Sequence, residues 1–125
     1  MSRAVVAGLL VLLAGCGGPP STDECLRRLR EDDDVVKKRE AIRELGARQG
    51  EAERVVPALA EALRDDSAYV RRDAAYVLGK FGPDAKEAVP ALLAAHKDND
   101  RGVRKAAGAA LKKIDPAAAA RTGLR

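Results

Sequence analysis

A step of 33 residues runs through this chain and limits what it can fold into more than any other feature. Asp32, Asp65 and Asp98 stand 33 apart, and the same gap-free step links Leu26 to Leu59 and Leu92. It also joins Lys38 to Arg71 and Arg104, Arg39 to Arg72 and Lys105, Ala41 to Ala74 and Ala107, and Leu45 to Leu78 and Leu111. Self-similarity of this length is the mark of stacked supersecondary units, each unable to bury its apolar face alone. Rows two and three share more: Val56-Pro57-Ala58-Leu59 matches Val89-Pro90-Ala91-Leu92, Val70 matches Val103, and Pro83 matches Pro116. Row one departs, with Glu24 at the proline place, Lys37 at the valine place and Val36 one position early. End repeats are expected to be atypical, since one of their faces meets solvent.

Within a row the apolar spacing predicts two short amphipathic helices. In row two Val56, Leu59 and Leu63 lie on one helical face, Asp65-Asp66-Ser67 breaks and caps, and Val70, Ala74, Val77, Leu78 and Phe81 follow before Gly82-Pro83. Pro57 and Pro90 are expected near the starts of their first helices, where a missing amide costs little. Small residues on the second helices (Ala74, Ala75, Ala107, Gly108) would allow close approach, and mid-helix Gly108 calls for a packing reason or a frayed last helix. With only 2% aromatics among 125 residues, one modest core of Leu, Val, Ile and Ala is expected. That favours helices over a sandwich or barrel.

The run Val70-Arg71-Arg72-Asp73-Ala74-Ala75-Tyr76-Val77-Leu78-Gly79, preceded by Asp65, resembles the second half of a HEAT repeat of the short, phycobilisome-lyase type, over about residues 24 to 116. The resemblance implies an all-α fold: a short right-handed α-solenoid of three helical hairpins, of the armadillo-repeat superfamily architecture. Repeats are expected at about 24–56, 57–89 and 90–116, followed by a tail over 117–125. The family's turn aspartate and the arginine six positions later imply a hydrogen-bonded ladder here of Asp32, Asp65 and Asp98 with Lys38, Arg71 and Arg104. Lys38 lacks the guanidinium fork, which weakens the first rung.

The N-terminus carries a different signal. Met1-Ser2-Arg3, an apolar run from Ala4 to Ala14, then Gly15-Cys16 has the layout of an export signal over 1–15. The run of 11 residues is short of the roughly 20 that a transmembrane helix needs. Leu13-Ala14-Gly15-Cys16 resembles the lipobox of bacterial lipoproteins, which implies acylation of Cys16 and a membrane anchor. Residues 16–23, with Gly17-Gly18-Pro19-Pro20, are expected to form a flexible linker. Gly17 after the cysteine favours the outer membrane, facing the periplasm, in a cell with two membranes.

No reacting group stands out, so the expectation is a non-enzyme without cofactor or metal. His96 has no Cys or His at metal-ligand spacing, and Cys25 on the first helix is expected to be a small buried hydrophobe. Asp32-Asp33-Asp34 and Asp98-Asn99-Asp100 lack the Gly at the sixth place and Glu at the twelfth of a calcium loop, so capping explains them better. A formal charge of +4 is too small to argue for nucleic acid. Second helices commonly line the concave face of a solenoid. Their outward columns hold Arg39, Arg72 and Lys105, then Arg43, Tyr76 and Ala109, then Ala47, Lys80 and Lys113. This stripe is basic around Tyr76, suited to an acidic segment of a protein partner or to an anionic envelope polymer, although Glu40, Glu44 and Asp73 offset part of the charge. The leading expectation is a membrane-tethered interaction scaffold. The alternatives are an accessory or enzyme of the HEAT-like lyase type and a structural envelope protein that self-associates end to end.

Overall fold

A computed structural model describes residues 18–124. The expected signal and Cys16 lie outside the described residues. The chain forms α1 (Thr22–Glu31), α2 (Val35–Gly46), α3 (Ala52–Ala62), α4 (Ala68–Phe81), α5 (Val89–Ala95), α6 (Arg101–Ile114) and α7 (Pro116–Arg121), with 3-10 turns at Gln49–Glu51 and Gly82–Ala88. No strand occurs among the described residues. Pairs α1–α2, α3–α4 and α5–α6 pack as hairpins, and α2, α4 and α6 lie side by side in that order. The result is a short α-solenoid, with the second helices forming its main inter-repeat layer.

The repeated columns are its core. Leu45, Leu78 and Leu111 are fully buried, as are Leu59, Leu92, Val70 and Val103, while Ala41, Ala74 and Ala107 pack among them. Cys25 is buried in the same cluster. At the first repeat the valine column carries Lys37, which is exposed, beside Val36 at 61% exposure.

Each second helix starts from the same device. Asp32, Asp65 and Asp98 each accept the backbone N–H two residues on, from Asp34 (2.9 Å), Ser67 (2.9 Å) and Asp100 (2.9 Å). These short-range bonds turn the chain out of the first helix. Asp34 and Asp100 then cap α2 and α6, accepting from Val36 N–H (2.8 Å) and Val103 N–H (3.0 Å). Ser67, at the same place ahead of α4, makes no side-chain cap bond.

Three features differ from the sequence reading. Pro57 lies inside α3 rather than at its start. Leading into row three, Gly82, at φ 56°, and Pro83 hold the chain in a 3-10 turn as far as Ala88, so α5 begins at Val89 with Pro90 in its first turn. Leading into row two, Gly50 occupies the Pro83 column; α3 begins earlier and takes Pro57 in. The linker is tied down from Pro20 onward: its carbonyl accepts from Arg48, Thr22 Oγ1 donates to Glu51 Oε2 at 2.6 Å, and Asp23 pairs with Arg54. The tail is helical, with Asp115 capping α7 by accepting from Ala118 N–H and burying Ala118 and Ala119 against α6. Leu124 lies over Gly108, where an added Cβ would meet its Cδ2 at 3.2 Å. Gly108 therefore has a packing reason, and α6 runs on to Ile114.

Candidate partner-binding face

The ladder sets the register of the face. Lys38 Nζ donates to Asp65 Oδ1 at 2.7 Å, a single-point contact. One repeat on, Arg71 forks onto Asp98, from Nε to Oδ2 at 2.8 Å and from Nη2 to Oδ1 at 3.1 Å. Its Nη1 donates to the carbonyls of Asp65 (2.7 Å) and Asp66 (3.0 Å), which fixes the guanidinium plane. Burial alone would lift the Asp98 carboxyl. The Arg71 hydrogen bonds, the Asp100 N–H and the positive charges of Arg71 and Arg104 outweigh it, and the group titrates below the ordinary carboxylate value. Among the described residues the ion-pair partner of Asp32 is the exposed Lys37 ammonium, at 3.9 Å. Arg104 Nη1 donates to the carbonyls of Asp98 (2.8 Å) and Asn99 (3.0 Å).

Close approach between second helices comes from a glycine column. A Cβ on Gly46 would sit 2.9 Å from Val77 Cγ1, and one on Gly79 would sit 3.2 Å from Ala110 Cα. This column recurs at the 33-residue step and went unread in the sequence, where Ala74, Ala75, Ala107 and Gly108 drew attention instead.

The outward sides of α2, α4 and α6 carry the basic stripe. Arg43, Tyr76, Lys80, Lys105 and Lys113 are exposed, and Arg39 and Arg72 are half-buried. Arg39 is a correction to the stripe as read. Its Nε donates to Asp73 Oδ2 at 2.7 Å across the repeat boundary, and that hydrogen bond and charge raise the Arg39 pKa. Arg39 thus contributes little free charge. At the next repeat Ala106 stands in the Asp73 column, and Arg72 makes no ion pair among the described residues. Arg43, Lys80, Lys105 and Lys113 are likewise without an ion pair there, so the net positive field comes from these five.

Tyr69 belongs to the face and was overlooked as a surface group. It is 58% exposed, as is Tyr76. The Arg39 and Arg72 guanidinium carbons each stand 5.4 Å from the Tyr69 ring centroid, and Lys80 Nζ stands 5.1 Å from that of Tyr76. The signal was present: Tyr69, Asp73, Tyr76 and Lys80 follow one another at three- and four-residue spacing on a single helix face. Between α2 and α4 a cavity of about 380 Å³ opens among Arg39, Arg43, Asp73, Tyr76, Val77 and Lys80. Two aromatic rings ringed by cations, on backbone held by the ladder, form a surface able to seat an acidic, partly apolar segment.

Other candidate chemistry is placed as follows. Among the described residues no group of three or more His, Cys, Asp and Glu side chains is placed to hold a metal ion. Cys25 is fully buried, and burial pushes its thiol pKa up, away from nucleophilic thiolate. His96 Nδ1 lies 3.4 Å from the Arg104 carbonyl at the end of α5. No helix among the described residues is long and apolar enough to cross a membrane.

The sequence profile of the family described as HEAT repeats matches residues 22–112, from the first residue of α1 to the last turn of α6. No curated protein matches the chain.

Proposed function

Since the chain belongs to the HEAT-repeat family, whose repeats generally mediate protein–protein interaction, we propose that it is a non-catalytic scaffold held on the bacterial cell envelope through Cys16. Its ligand is an acidic segment of a protein partner, taken by the outward sides of α2, α4 and α6. The observation that carries this reading is the pair of half-exposed tyrosines, Tyr69 and Tyr76, set among Arg43, Arg72, Lys80, Lys105 and Lys113, which make no ion pair among the described residues. Tyrosines supply contact area at low entropic cost, and the cations supply steering and register.

The anchor rests on the motif Leu13-Ala14-Gly15-Cys16 and on the arithmetic of lipid binding. One acyl chain holds only marginally, whereas two or more hold stably. Helix α1 starts six residues after Cys16, at Thr22. An extended chain of that length reaches at most roughly 20 Å, so an anchored stack stays close to the lipid surface. In a cell with two membranes, Gly17 favours the outer one, facing the periplasm.

Two experiments test the reading. Cys16→Ser is expected to move the protein from the membrane fraction to the soluble fraction, and intact-mass analysis of the wild-type N-terminal peptide is expected to show a diacylglyceryl adduct. An unmodified Cys16 thiol contradicts the anchor. Joint reversal of Arg72→Glu and Lys105→Glu is expected to reduce recovery of the native partner in a pull-down at least tenfold while thermal unfolding stays within a few degrees. Undiminished recovery contradicts the face.

A further inference from the structure

The two ends of the repeat stack carry complementary halves of one rung. At the α6 end, Arg104 Nη1 is held by the Asp98 and Asn99 carbonyls at 2.8 and 3.0 Å, as Arg71 Nη1 is held by those of Asp65 and Asp66 at 2.7 and 3.0 Å. With that edge fixed, Arg71 presents Nε and Nη2 to the next repeat's aspartate. The same two donors of Arg104 meet no carboxylate among the described residues. Arg104 borders a cavity of about 680 Å³, lined by His96, Arg101, Lys105, Gly108 and Leu124 among others, with no acidic side chain in its lining among the described residues. Leu124 covers Gly108 in the middle of α6, while Arg101 and Lys105 nearer its start are exposed and Arg104 is half-buried.

At the α2 end stands the matching group. Asp32 makes the same turn as Asp65 and Asp98, and among the described residues its ion-pair partner is the exposed Lys37 at 3.9 Å, on its own repeat. It opens the acidic turn Asp32-Asp33-Asp34. A second rung follows the same logic. Asp73 pairs with Arg39 across an internal boundary; Glu40 occupies the Asp73 column at the α2 end, and Lys105 occupies the Arg39 column at the α6 end. Both are exposed and make no ion pair among the described residues.

We propose that the α6 end is a carboxylate socket for a second copy of this chain, with Arg104 forking onto the partner copy's Asp32 and Lys105 meeting its Glu40. Such a contact is heterologous, so it leaves a free end on each side and lets copies add head to tail. It does not rest on the partner-binding reading above, with which it shares Lys105; the socket itself is Arg104, which that reading does not use. Contact is confined to the turn edge of α6, and association is therefore weak and salt-sensitive.

Sedimentation velocity of the full chain in mild detergent, over a range of concentrations at low ionic strength, tests this. The weight-average coefficient of the wild type is expected to climb with concentration and to fall back on addition of salt. Arg104→Glu and Asp32→Arg are each expected to abolish the climb, and the double reversal Asp32→Arg/Arg104→Glu to restore it, which separates a lost rung from a damaged fold. Glu40→Lys, at an exposed position outside any cap, is expected to weaken it without loss of helix. A wild type with a constant coefficient overturns the proposal, as do single reversals that associate like the wild type. A wild type that stays monomeric but binds a synthetic Asp-rich peptide through Arg104 assigns the socket to a foreign acidic segment and overturns the second-copy occupant.

Discussion

Arg71→Ala is expected to lower stability by about 2–3 kcal/mol. The side chain ties two carbonyls of its own turn and both carboxylate oxygens of Asp98. Removing it leaves Asp98, with a side chain only 13% exposed, holding a negative charge that lacks its main partner. For a domain of this size that loss corresponds to a fall in melting temperature of roughly 10 °C or more, read by circular dichroism. Arg71→Lys is expected to recover about half of it, because Lys38 on Asp65 already shows what an ammonium manages in this place, one bond in place of two. An unchanged midpoint in Arg71→Ala contradicts the ladder.

The same rung has a pH signature. The folded Asp98 pKa is lowered, so the rung's contribution is fully present above the ordinary carboxylate value of 3.8 and is lost as pH falls through the folded value beneath it. The gap in melting temperature between wild type and Arg71→Ala is therefore expected to be widest near neutrality and to narrow in strong acid. A gap that widens on acidification contradicts the assignment.

Gly79→Leu is the second large effect. A Cβ there stands 3.2 Å from the Ala110 Cα and 3.4 Å from its Cβ, so the obstruction is partly backbone and cannot swing aside. A leucine forces α4 and α6 apart along the main inter-repeat contact. The expected loss is about 2–3 kcal/mol, at the upper end for overpacked sites, measured by urea unfolding. Gly50→Ala is the control, since nothing lies within 4 Å of its added Cβ, and it is expected to stay within about 0.5 kcal/mol of wild type. Equal behaviour of the two variants contradicts close approach at Gly79.

The 33-residue columns made the hairpins and core legible because each column repeats one environment three times. Leu45, Leu78 and Leu111 are buried together, and Asp32, Asp65 and Asp98 turn the chain by the same bond. What was hidden depends on relations between neighbouring repeats rather than within a column. Arg39 reads as a free cation until its neighbour in space, Asp73, is known to lie across the boundary. The close approach at Gly46 and Gly79 shows only once the adjoining helix is in place. The shift of Pro57 into α3 follows from a difference at the linking turn, Gly50 against Pro83, which the match of the Val-Pro-Ala-Leu runs conceals. The tail escaped because its six-residue helix is too short for periodicity to announce, and burial against α6 is what stabilises it.

For the stripe, sequence columns named the cations but passed over Tyr69. That ring changes the face from a charged surface with one aromatic into two aromatic platforms, each with a cation above it. On the proposed function the face is expected to discriminate: a polyanion without apolar groups leaves both rings uncovered, whereas an acidic peptide with an apolar residue uses both parts.

On the proposed function the outward sides of α2, α4 and α6 receive an acidic protein segment at the envelope. The most direct test of this is a photo-cross-linking residue at position 76 in the chain's own cell, with mass spectrometry of the adducts and a matched probe at Arg27, exposed on α1. The account predicts adducts at position 76 to acidic segments of one or a few envelope proteins, lost on joint Arg72→Glu and Lys105→Glu reversal and absent at position 27. Equal adducts at both positions, or adducts at position 76 that survive the reversal, would contradict it.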